Sequence, residues 1–207
     1  MKAISVLLIG LTSSAHAALV GHYTFDGNLN DSGTSAGEAT LGNAGLLATD
    51  DPVVGSGYLS LSGSPSPDTI GNDGAVSANS FDWSTSDVRS LAFWAKATAG
   101  DIGDTNATMI SLGSGTGTGN RFDVRLNGDN LRLELQGGGA NTNTVVANGE
   151  WNHIAIVVPS ATSTLGDVQY YFNGSLVGNF SGSTAIATGT GPLRIGDSYQ
   201  DIDRDFK

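Results

Sequence analysis

Short runs of alternating hydrophobic and polar residues, separated by clusters of Gly, Asn, Asp and Ser, recur along the chain. The clearest run covers 122–135, where Phe122, Val124 and Leu126 share one side and the alternation resumes after a turn at 127–130. A period of two predicts strands, and a short Asn-Gly turn between two strands predicts a β-hairpin. We expect this hairpin to bury its hydrophobic side and to expose its charged side.

A second hairpin shows the same pattern, with strands in 168–172 and 176–180 around an Asn173-Gly174 turn. Seven further strands are predicted at 19–25, 58–61, 90–96, 109–112, 143–147, 152–158 and 192–195. About eleven short strands are too many for one open sheet, so the sequence predicts an all-β sandwich of two packed antiparallel sheets. The Gly-rich stretch 137–143 is interpreted as a connection between strands.

The N-terminal residues are organised like a secretory signal peptide. A basic start is followed by a hydrophobic run at 3–11 and by a small-residue cleavage site that ends at Ala17. The run is shorter than the about 20 residues of a transmembrane helix, and no later segment is hydrophobic enough to cross a membrane. We therefore predict a signal peptide at 1–17, a mature domain at 18–207, and a secreted or cell-surface location. The alternative is an N-terminal strand or helix of the domain.

The composition restricts the partners of such a domain. The chain has no cysteine, so an exported domain must be stabilised by its hydrophobic core and not by disulfides. It carries 20 acidic and 9 basic residues, for a net charge of −11. This charge repels a phosphate backbone and argues against nucleic acid as a partner. Its simplest role is to keep the protein soluble outside the cell.

Several short motifs follow one another along the chain. They include YTFDGNLNDS at 23–32, RSLAFWAK at 89–96, GEWNHIA at 149–155, VQYYFNG at 168–174 and LRIG at 193–196. In this order they resemble the laminin-G-like jelly-roll domains of the concanavalin A-like lectin/glucanase superfamily. Each motif alone is weak, but their order is specific to the fold. The resemblance covers nearly all of 18–207 and implies a two-sheet antiparallel jelly-roll sandwich.

One expected motif of that family does not occur. Its members usually close with a strand that reads roughly G-x-I-D-D-V-R-x-Y soon after the segment represented here by 193–196, but the sequence ends where that strand should start. The resemblance thus implies part of a longer protein, without its C-terminal strand or strands. In the family this strand lies beside the N-terminal one, so we expect residues 23–25 at an open sheet edge.

The sequence contains no recognisable catalytic constellation. Glycoside hydrolysis generally needs two carboxylates across the scissile bond, and hydrolases with related sandwiches carry Glu-x-Asp-x-(x)-Glu on one strand, which this chain lacks. Glu134 has Arg132 and Gln136 as neighbours on its side of the strand and is interpreted as solvent-exposed. Of the two histidines in the mature domain, His22 and His153, the latter is interpreted as a hydrogen-bonded core residue. We therefore predict that the protein is not an enzyme.

The loop at 26–33 places oxygen donors at alternate positions around a glycine. We predict that Asp26, Asn28 and Asp31 bind calcium, because this hard cation prefers carboxylate and amide oxygens. The resemblance adds support, since relatives often bind calcium at their opening loop, commonly with an aspartate of the closing strand. The alternative is that Asp and Asn only form turns here. A second acidic loop at 101–104 is interpreted as solvated.

Three tryptophans are candidates for a platform under a sugar ring. Trp94 and Trp151 lie within strand motifs and are interpreted as core residues, whereas Trp83 suits packing and ligand binding equally well. The leading hypothesis is a secreted or surface module that binds carbohydrate or a glycosylated partner, possibly assisted by calcium. The rival is a structural or adhesion module of a larger surface protein, without a small ligand. A divergent sandwich-fold hydrolase or lyase is a more distant alternative.

Overall fold

The computed structural model describes residues 19–43, 45–62, 73–83, 88–99, 106–113, 115–199, 204 and 206. The signal peptide predicted at 1–17 and the acidic loop at 101–104 lie outside these residues. Within the described part of the chain, no helix is long and hydrophobic enough to cross a membrane.

The described residues form β-strands and one short 3-10 helix at Leu165–Asp167. The strands are β1 (Ala39–Leu41), β2 (Gly45–Ala48), β3 (Tyr58–Leu61), β4 (Ala75–Phe81), β5 (Arg89–Ala95), β6 (Thr108–Leu112), β7 (Phe122–Asn127), β8 (Asn130–Leu135), β9 (Gly138–Val145), β10 (Asn152–Val158), β11 (Gln169–Phe172), β12 (Ser175–Asn179) and β13 (Gly191–Ile195).

Antiparallel pairing arranges these strands in two large sheets and one small one. The first has seven strands in the order β1-β4-β13-β6-β7-β8-β9, the second has four in the order β12-β11-β10-β5, and β2 pairs with β3. One hydrophobic cluster contains buried residues of both large sheets, including Phe122 and Leu133 from the first and Ile154 and Ile156 from the second. Burying one face of each sheet against the other stabilises both. The predicted all-β, two-sheet antiparallel sandwich is confirmed.

Both predicted hairpins are confirmed. Strands β7 and β8 are joined by a two-residue turn at Gly128 and Asp129. Strands β11 and β12 are joined by Asn173 and Gly174, whose φ angles are 49° and 82°. Positive φ at both turn residues matches the twist of the flanking strands, and Asn and Gly tolerate it best.

Several predicted strands also agree in their bounds. Those predicted at 58–61 and 152–158 have the same bounds in the structure, and those at 90–96, 109–112 and 192–195 are confirmed to within one residue. These are the segments in which large or β-branched hydrophobic residues dominate, so their preference for strand is strong.

The strand predicted at 19–25 is wrong. The carbonyl oxygens of Leu19, Val20 and His22 accept hydrogen bonds from the loop that follows this segment, at 2.9–3.0 Å, and not from a neighbouring strand. Phe25 has a φ of 57°, which interrupts an extended backbone. Residues 23–25 therefore do not form the expected strand at an open sheet edge.

Strands β1, β2 and β4 were not predicted, and β9 begins earlier than expected. β1 and β2 have only three and four residues, and β4 is composed mainly of small residues. The stretch 137–143, interpreted as a connection, lies largely within β9. A Cβ on Gly139 would collide with the guanidinium of Arg132, so this glycine makes room in the sheet for a neighbouring side chain.

The charged side of the β7–β8 hairpin is buried, contrary to the prediction. Asp123 is fully buried, and Arg121 and Arg125 are nearly so. The chain after β13 packs against this side, where the Ser198 hydroxyl donates a hydrogen bond to Asp123 at 3.3 Å. Alternation separates the two sides of a hairpin, but it does not show that a later segment covers the polar one.

The interpretation of Glu134 as solvent-exposed is also wrong. Its side chain is 13% exposed, and its carboxylate lies 3.1 Å from Arg121, 2.9 Å from Arg125 and 2.6 Å from Arg132. Burial acts to raise the pKa of Glu134, but the hydrogen bonds from Arg125 and Arg132 outweigh it and lower the pKa. Three guanidinium groups thus compensate the cost of removing this carboxylate from water.

Candidate functional site

An exposed pair of aromatic rings lies on the outer face of the four-stranded sheet. Strands β5 and β10 pair so that Trp94 lies directly opposite His153. Since Ile154 and its alternate neighbours in β10 are buried, His153 and Trp94 point away from the core. The rings meet edge to face, with centroids 5.1 Å apart, and Trp94 is 43% exposed. The interpretation of both residues as core residues is wrong.

These rings border a shallow, open depression of about 630 Å³, which is lined by Trp94, Trp151, His153, Asn173 and Gly174. The β11–β12 turn is held against β10 by hydrogen bonds in both directions. The amide of Asn173 donates to the carbonyl of His153 at 2.8 Å, and the amide of His153 donates to Oδ1 of Asn173 at 2.8 Å. The turn therefore forms a rigid wall of the depression.

Trp151 forms a further part of the depression and is held from a distant part of the sequence. Its indole N–H donates a hydrogen bond to the carbonyl of Asp51 at 2.9 Å, and Tyr58 meets its ring edge-on with centroids 5.5 Å apart. Trp151 is partly exposed, so its interpretation as a core residue is also wrong. Contacts with Asp51 and Tyr58 fix the indole while leaving part of it accessible.

The rim beside Trp151 is acidic. Lys96 forms an ion pair with Asp51, with Nζ and Oδ2 2.6 Å apart. The hydrogen bond to Asp51 raises the pKa of Lys96, and the charges of Asp51, Glu150 and Asp50 act in the same direction. The ammonium of Lys96 is thus compensated by more than one acid, and the rim keeps an excess of negative charge.

Trp83 proves to be a packing residue. Its indole N–H donates to the carbonyl of Gly191 at 3.2 Å, and its ring packs against Phe81 with centroids 4.9 Å apart. The guanidinium of Arg89 lies 5.7 Å from the ring centroid. These contacts favour packing over a ligand platform at Trp83.

The predicted calcium ligand Asp26 binds backbone amides. Its Oδ1 accepts hydrogen bonds from the amides of Ser56 at 2.5 Å and Gly57 at 3.0 Å. The bond from Ser56 is the main reason that the pKa of Asp26 is lowered. A Cβ on Gly55 would collide with this carboxylate. Asp26 therefore anchors the turn before β3.

Asp31 and Asn28 bind other backbone amides of the opening loop. Oδ1 of Asp31 accepts from the amides of His22 and Gly33, each at 2.7 Å, and its Oδ2 accepts from Gly37 at 3.0 Å. Burial acts to raise the pKa of Asp31, but these bonds together lower it. Oδ1 of Asn28 accepts from the amide two residues later at 2.9 Å, which closes a local turn.

This arrangement fits turn formation better than a metal centre. The oxygens of Asp26 and Asp31 accept N–H donors from different segments, which is the bonding that turns require. Among the described residues, no group of three or more His, Cys, Asp or Glu side chains is arranged to hold a metal ion. Calcium binding by Asp26, Asn28 and Asp31 stays a prediction.

The two acids in strands β7 and β8 are not accessible as a catalytic pair of carboxylates. Asp123 and Glu134 pair across β7 and β8. Burial raises the pKa of Asp123 to about 6, as a general acid requires, but its side chain is fully buried. The carboxylate of Glu134 forms ion pairs with three arginines.

The other candidate catalytic residue, His22, lies in an exposed loop. Its ring bonds to the Ser32 hydroxyl at 2.6 Å, and the Ser32 amide donates to the His22 carbonyl.

The two-sheet antiparallel sandwich defines the class of this domain by its fold. The chain belongs to the concanavalin A-like lectin/glucanases superfamily: the Laminin_G_3 family matches residues 70–207. The resemblance to laminin-G-like domains is confirmed. The matched region begins after the opening loop, so Asp26, Asn28 and Asp31 lie outside it.

Solved structures show the same fold. Domain 4 of AbnA, a GH43 extracellular arabinanase from Geobacillus stearothermophilus solved in complex with arabinotriose, is 18% identical with a TM-score of 0.55, covering 91% of this chain and 87% of that one. The receptor-binding domain of botulinum neurotoxin type G is 18% identical with a TM-score of 0.58, covering 93% and 49%. The binding domain of Paraclostridial mosquitocidal protein 1 is 14% identical with a TM-score of 0.51, covering 92% and 50%.

The chain spans about half the length of the two toxin domains. At these identities the likeness concerns the fold alone. A search of curated protein sequences gives no significant match.

Proposed function

We propose that this protein is a carbohydrate-binding module that holds a sugar ring against Trp94. The observation that carries this proposal is the indole of Trp94, which is 43% exposed at the edge of an open depression. An exposed aromatic ring beside a concave surface offers a face on which a ligand can pack. A sugar ring has a C–H face that packs on an indole and hydroxyl groups that need polar partners at its edge.

The neighbours of Trp94 supply such partners. The imidazole of His153 lies at the edge of the indole and can exchange a hydrogen bond with a hydroxyl group. The wall formed by Asn173 and Gly174 is held in place before any ligand binds. A preformed wall lowers the entropic cost of binding. The AbnA domain, which was solved with arabinotriose, supports carbohydrate as the ligand class.

The test compares wild-type protein with Trp94→Ala on a glycan array and by isothermal titration calorimetry. We expect wild type to bind at least one class of polysaccharide and Trp94→Ala to lose about fivefold or more in affinity, since aromatic stacking contributes about 1 kcal/mol or more. The matched control is Val145→Ala, which removes another exposed hydrophobic residue from the other large sheet and should bind as wild type.

The rival hypothesis, a structural module without a small ligand, makes the opposite prediction. Folded wild-type protein would then bind no glycan of the array, and Trp94→Ala would change nothing but the surface. Turnover of a polysaccharide by the purified protein would instead support an enzyme.

We also propose an extracellular location. It is supported by the signal peptide predicted at 1–17 and by the neighbouring arabinanase, which is extracellular. Expression of the full sequence in a secreting bacterial host, followed by mass spectrometry of the exported protein, should find an N-terminus at Ala18. Retention of Met1 on protein inside the cell would contradict this proposal.

A further inference from the structure

We infer that the depression at Trp94 is one end of a longer binding platform, and that the ligand is a run of several uncharged sugar residues lying across the four-stranded sheet. This inference rests on the proposed function and extends it from one sugar ring to the length and charge of the ligand.

The outer face of this sheet carries no charge. Its four strands are all described, and their outward positions contain no Asp, Glu, Lys or Arg, although the chain has 29 such residues, 20 acidic and 9 basic. Aromatic and aliphatic side chains dominate instead. Trp94 and Leu176 are 43% and 55% exposed, and they lie on the two edge strands of the sheet, β5 and β12. Exposed apolar side chains on a face without charges are typical of an interaction site.

A shallow floor connects the two edges. Ala92 of β5, Ala155 of β10, Tyr171 of β11 and Leu176 of β12 lie opposite one another in one row across the sheet. This row is next to the row of Trp94 and His153. Alanine is unfavourable in strands, and two alanines side by side leave a low strip between larger side chains. The pattern lacks a folding advantage and suits a surface that a ligand covers.

The dimensions exceed one sugar ring. Trp94 and Tyr171 are two strands apart and are offset by two residues along the strand. Strand spacing gives about 10 Å across the sheet and about 7 Å along it, hence about 12 Å between these two backbone positions. An oligosaccharide lying over Ala92 and Ala155 would contact both aromatic rings at once.

The charges around the platform favour an uncharged ligand. The face itself offers no cation to pair with a carboxylate or sulfate group, and such a group would lose its hydration without compensation. Lys96 at the rim is already paired with Asp51. The chain as a whole carries a net charge of −11, which repels polyanions. Polar side chains of Ser, Gln and Asn border the row of alanines and suit hydroxyl groups.

The experiment measures affinity against chain length for wild type, Ala92→Leu, Tyr171→Ala and the control Val145→Ala. The probes are neutral arabino-, xylo- and cello-oligosaccharides of increasing length, with polygalacturonate and carrageenan as acidic probes. For wild type we expect at least a tenfold gain from the shortest to the longest ligand of the bound neutral series, and no measurable binding of the acidic probes. Leucine at position 92 fills the floor, so Ala92→Leu should lose this gain while keeping the affinity for the shortest ligand.

Each outcome bears on a different statement. Affinity independent of chain length, or a length dependence that survives in both Ala92→Leu and Tyr171→Ala, would overturn the platform and leave the site at Trp94 intact. Tighter binding of the acidic probes would overturn the neutral ligand. A wild-type dimer in sedimentation that Ala92→Leu dissociates would assign the face to a second copy of the chain. Absence of binding to every glycan would overturn the proposed function itself. Thermal unfolding of each variant shows that it is folded.

Discussion

At the scale of single residues, Trp94 and Asp123 show where physical context overrides residue type. Trp94 is a large hydrophobic residue in a strand, yet it lies outside because Leu91 and Phe93 occupy the inward side of β5. Asp123 is charged, yet it is fully buried beneath Ser198. Hydrophobicity predicts burial for the average residue, and this prediction fails most often at functional sites and in buried polar networks.

The buried carboxyl of Asp123 predicts a pH dependence of stability. Burial raises its pKa to about 6, so the folded state holds this proton more tightly than the unfolded state does. Its contribution to stability is complete below the unfolded pKa of about 4 and is lost as the pH rises through about 6. Asp123→Asn removes this contribution. We expect the free energy of unfolding to fall by on the order of 2 kcal/mol more in wild type than in Asp123→Asn between pH 4 and pH 8.

Urea unfolding at several pH values measures this difference. Asp167→Asn is the control, because hydrogen bonds from Thr164 lower the pKa of that exposed carboxyl. Its effect is lost only as the pH falls through the lowered pKa, so its curve should run parallel to wild type between pH 5 and pH 8. Parallel curves for wild type and Asp123→Asn over that range would show that the ionised carboxyl is fully compensated by its arginines.

At the scale of elements, the β11–β12 hairpin links local turn chemistry to the site. Asn173 and Gly174 give the turn, and the same residues form a wall of the depression. Strand register also builds the site: Trp94 and His153 meet because β5 and β10 pair in one alignment. A shift of that alignment by one residue would turn His153 toward the core.

Gly174→Ala tests the turn. Its φ of 82° strains any residue with a Cβ, while a Cβ there would meet nothing within 4 Å, so the cost lies in the backbone alone. We expect a loss of about 1 kcal/mol in the free energy of unfolding and weaker glycan binding. Ser175→Ala, a substitution at the neighbouring exposed position, should change neither. Equal stability of the glycine and alanine variants at position 174 would show that the turn relaxes without strain.

At the scale of the whole molecule, one shared core holds the two large sheets together, and segments far apart in sequence complete both the site and the polar network. Trp151 bonds to Asp51, and Asp123 bonds to Ser198. The opening loop is attached through Asp26 and Asp31, whose carboxylates accept backbone amides. Such bonds stabilise the loop.

The effect of calcium on thermal stability tests how the opening loop is held in the folded protein. From the amide bonds of Asp26 and Asp31 we expect the same Tm with excess Ca²⁺ and with EDTA, measured by differential scanning calorimetry. Asp31→Ala should lower the Tm in both conditions, because it removes three backbone hydrogen bonds. A calcium-dependent rise in Tm that Asp31→Ala abolishes would instead support the calcium site predicted from the sequence.

The sequence by itself determined the all-β class, both hairpins and the bounds of most strands. It could do so because a period of two and the conformational preferences of Asn-Gly turns act within a few neighbouring residues. It did not determine the strand at β4, where small residues give a weak local preference. Nor did it determine the loop at 19–25, where hydrogen bonds to the following loop override a local preference for strand. It also did not determine which side of a strand faces inward when both sides are hydrophobic, as at Phe93 and Trp94.

Only the tertiary structure decided the site. The depression unites Trp94, Trp151 and the turn at Asn173, which lie on separate elements, and Asp51 holds Trp151 across 100 residues of sequence. Tertiary structure likewise decided the environment of Glu134, because packing brings three arginines to its carboxylate and buries it. Long-range contacts form when hydrophobic faces meet and exclude water, and that free energy depends on the whole surface buried and not on any local run of residues.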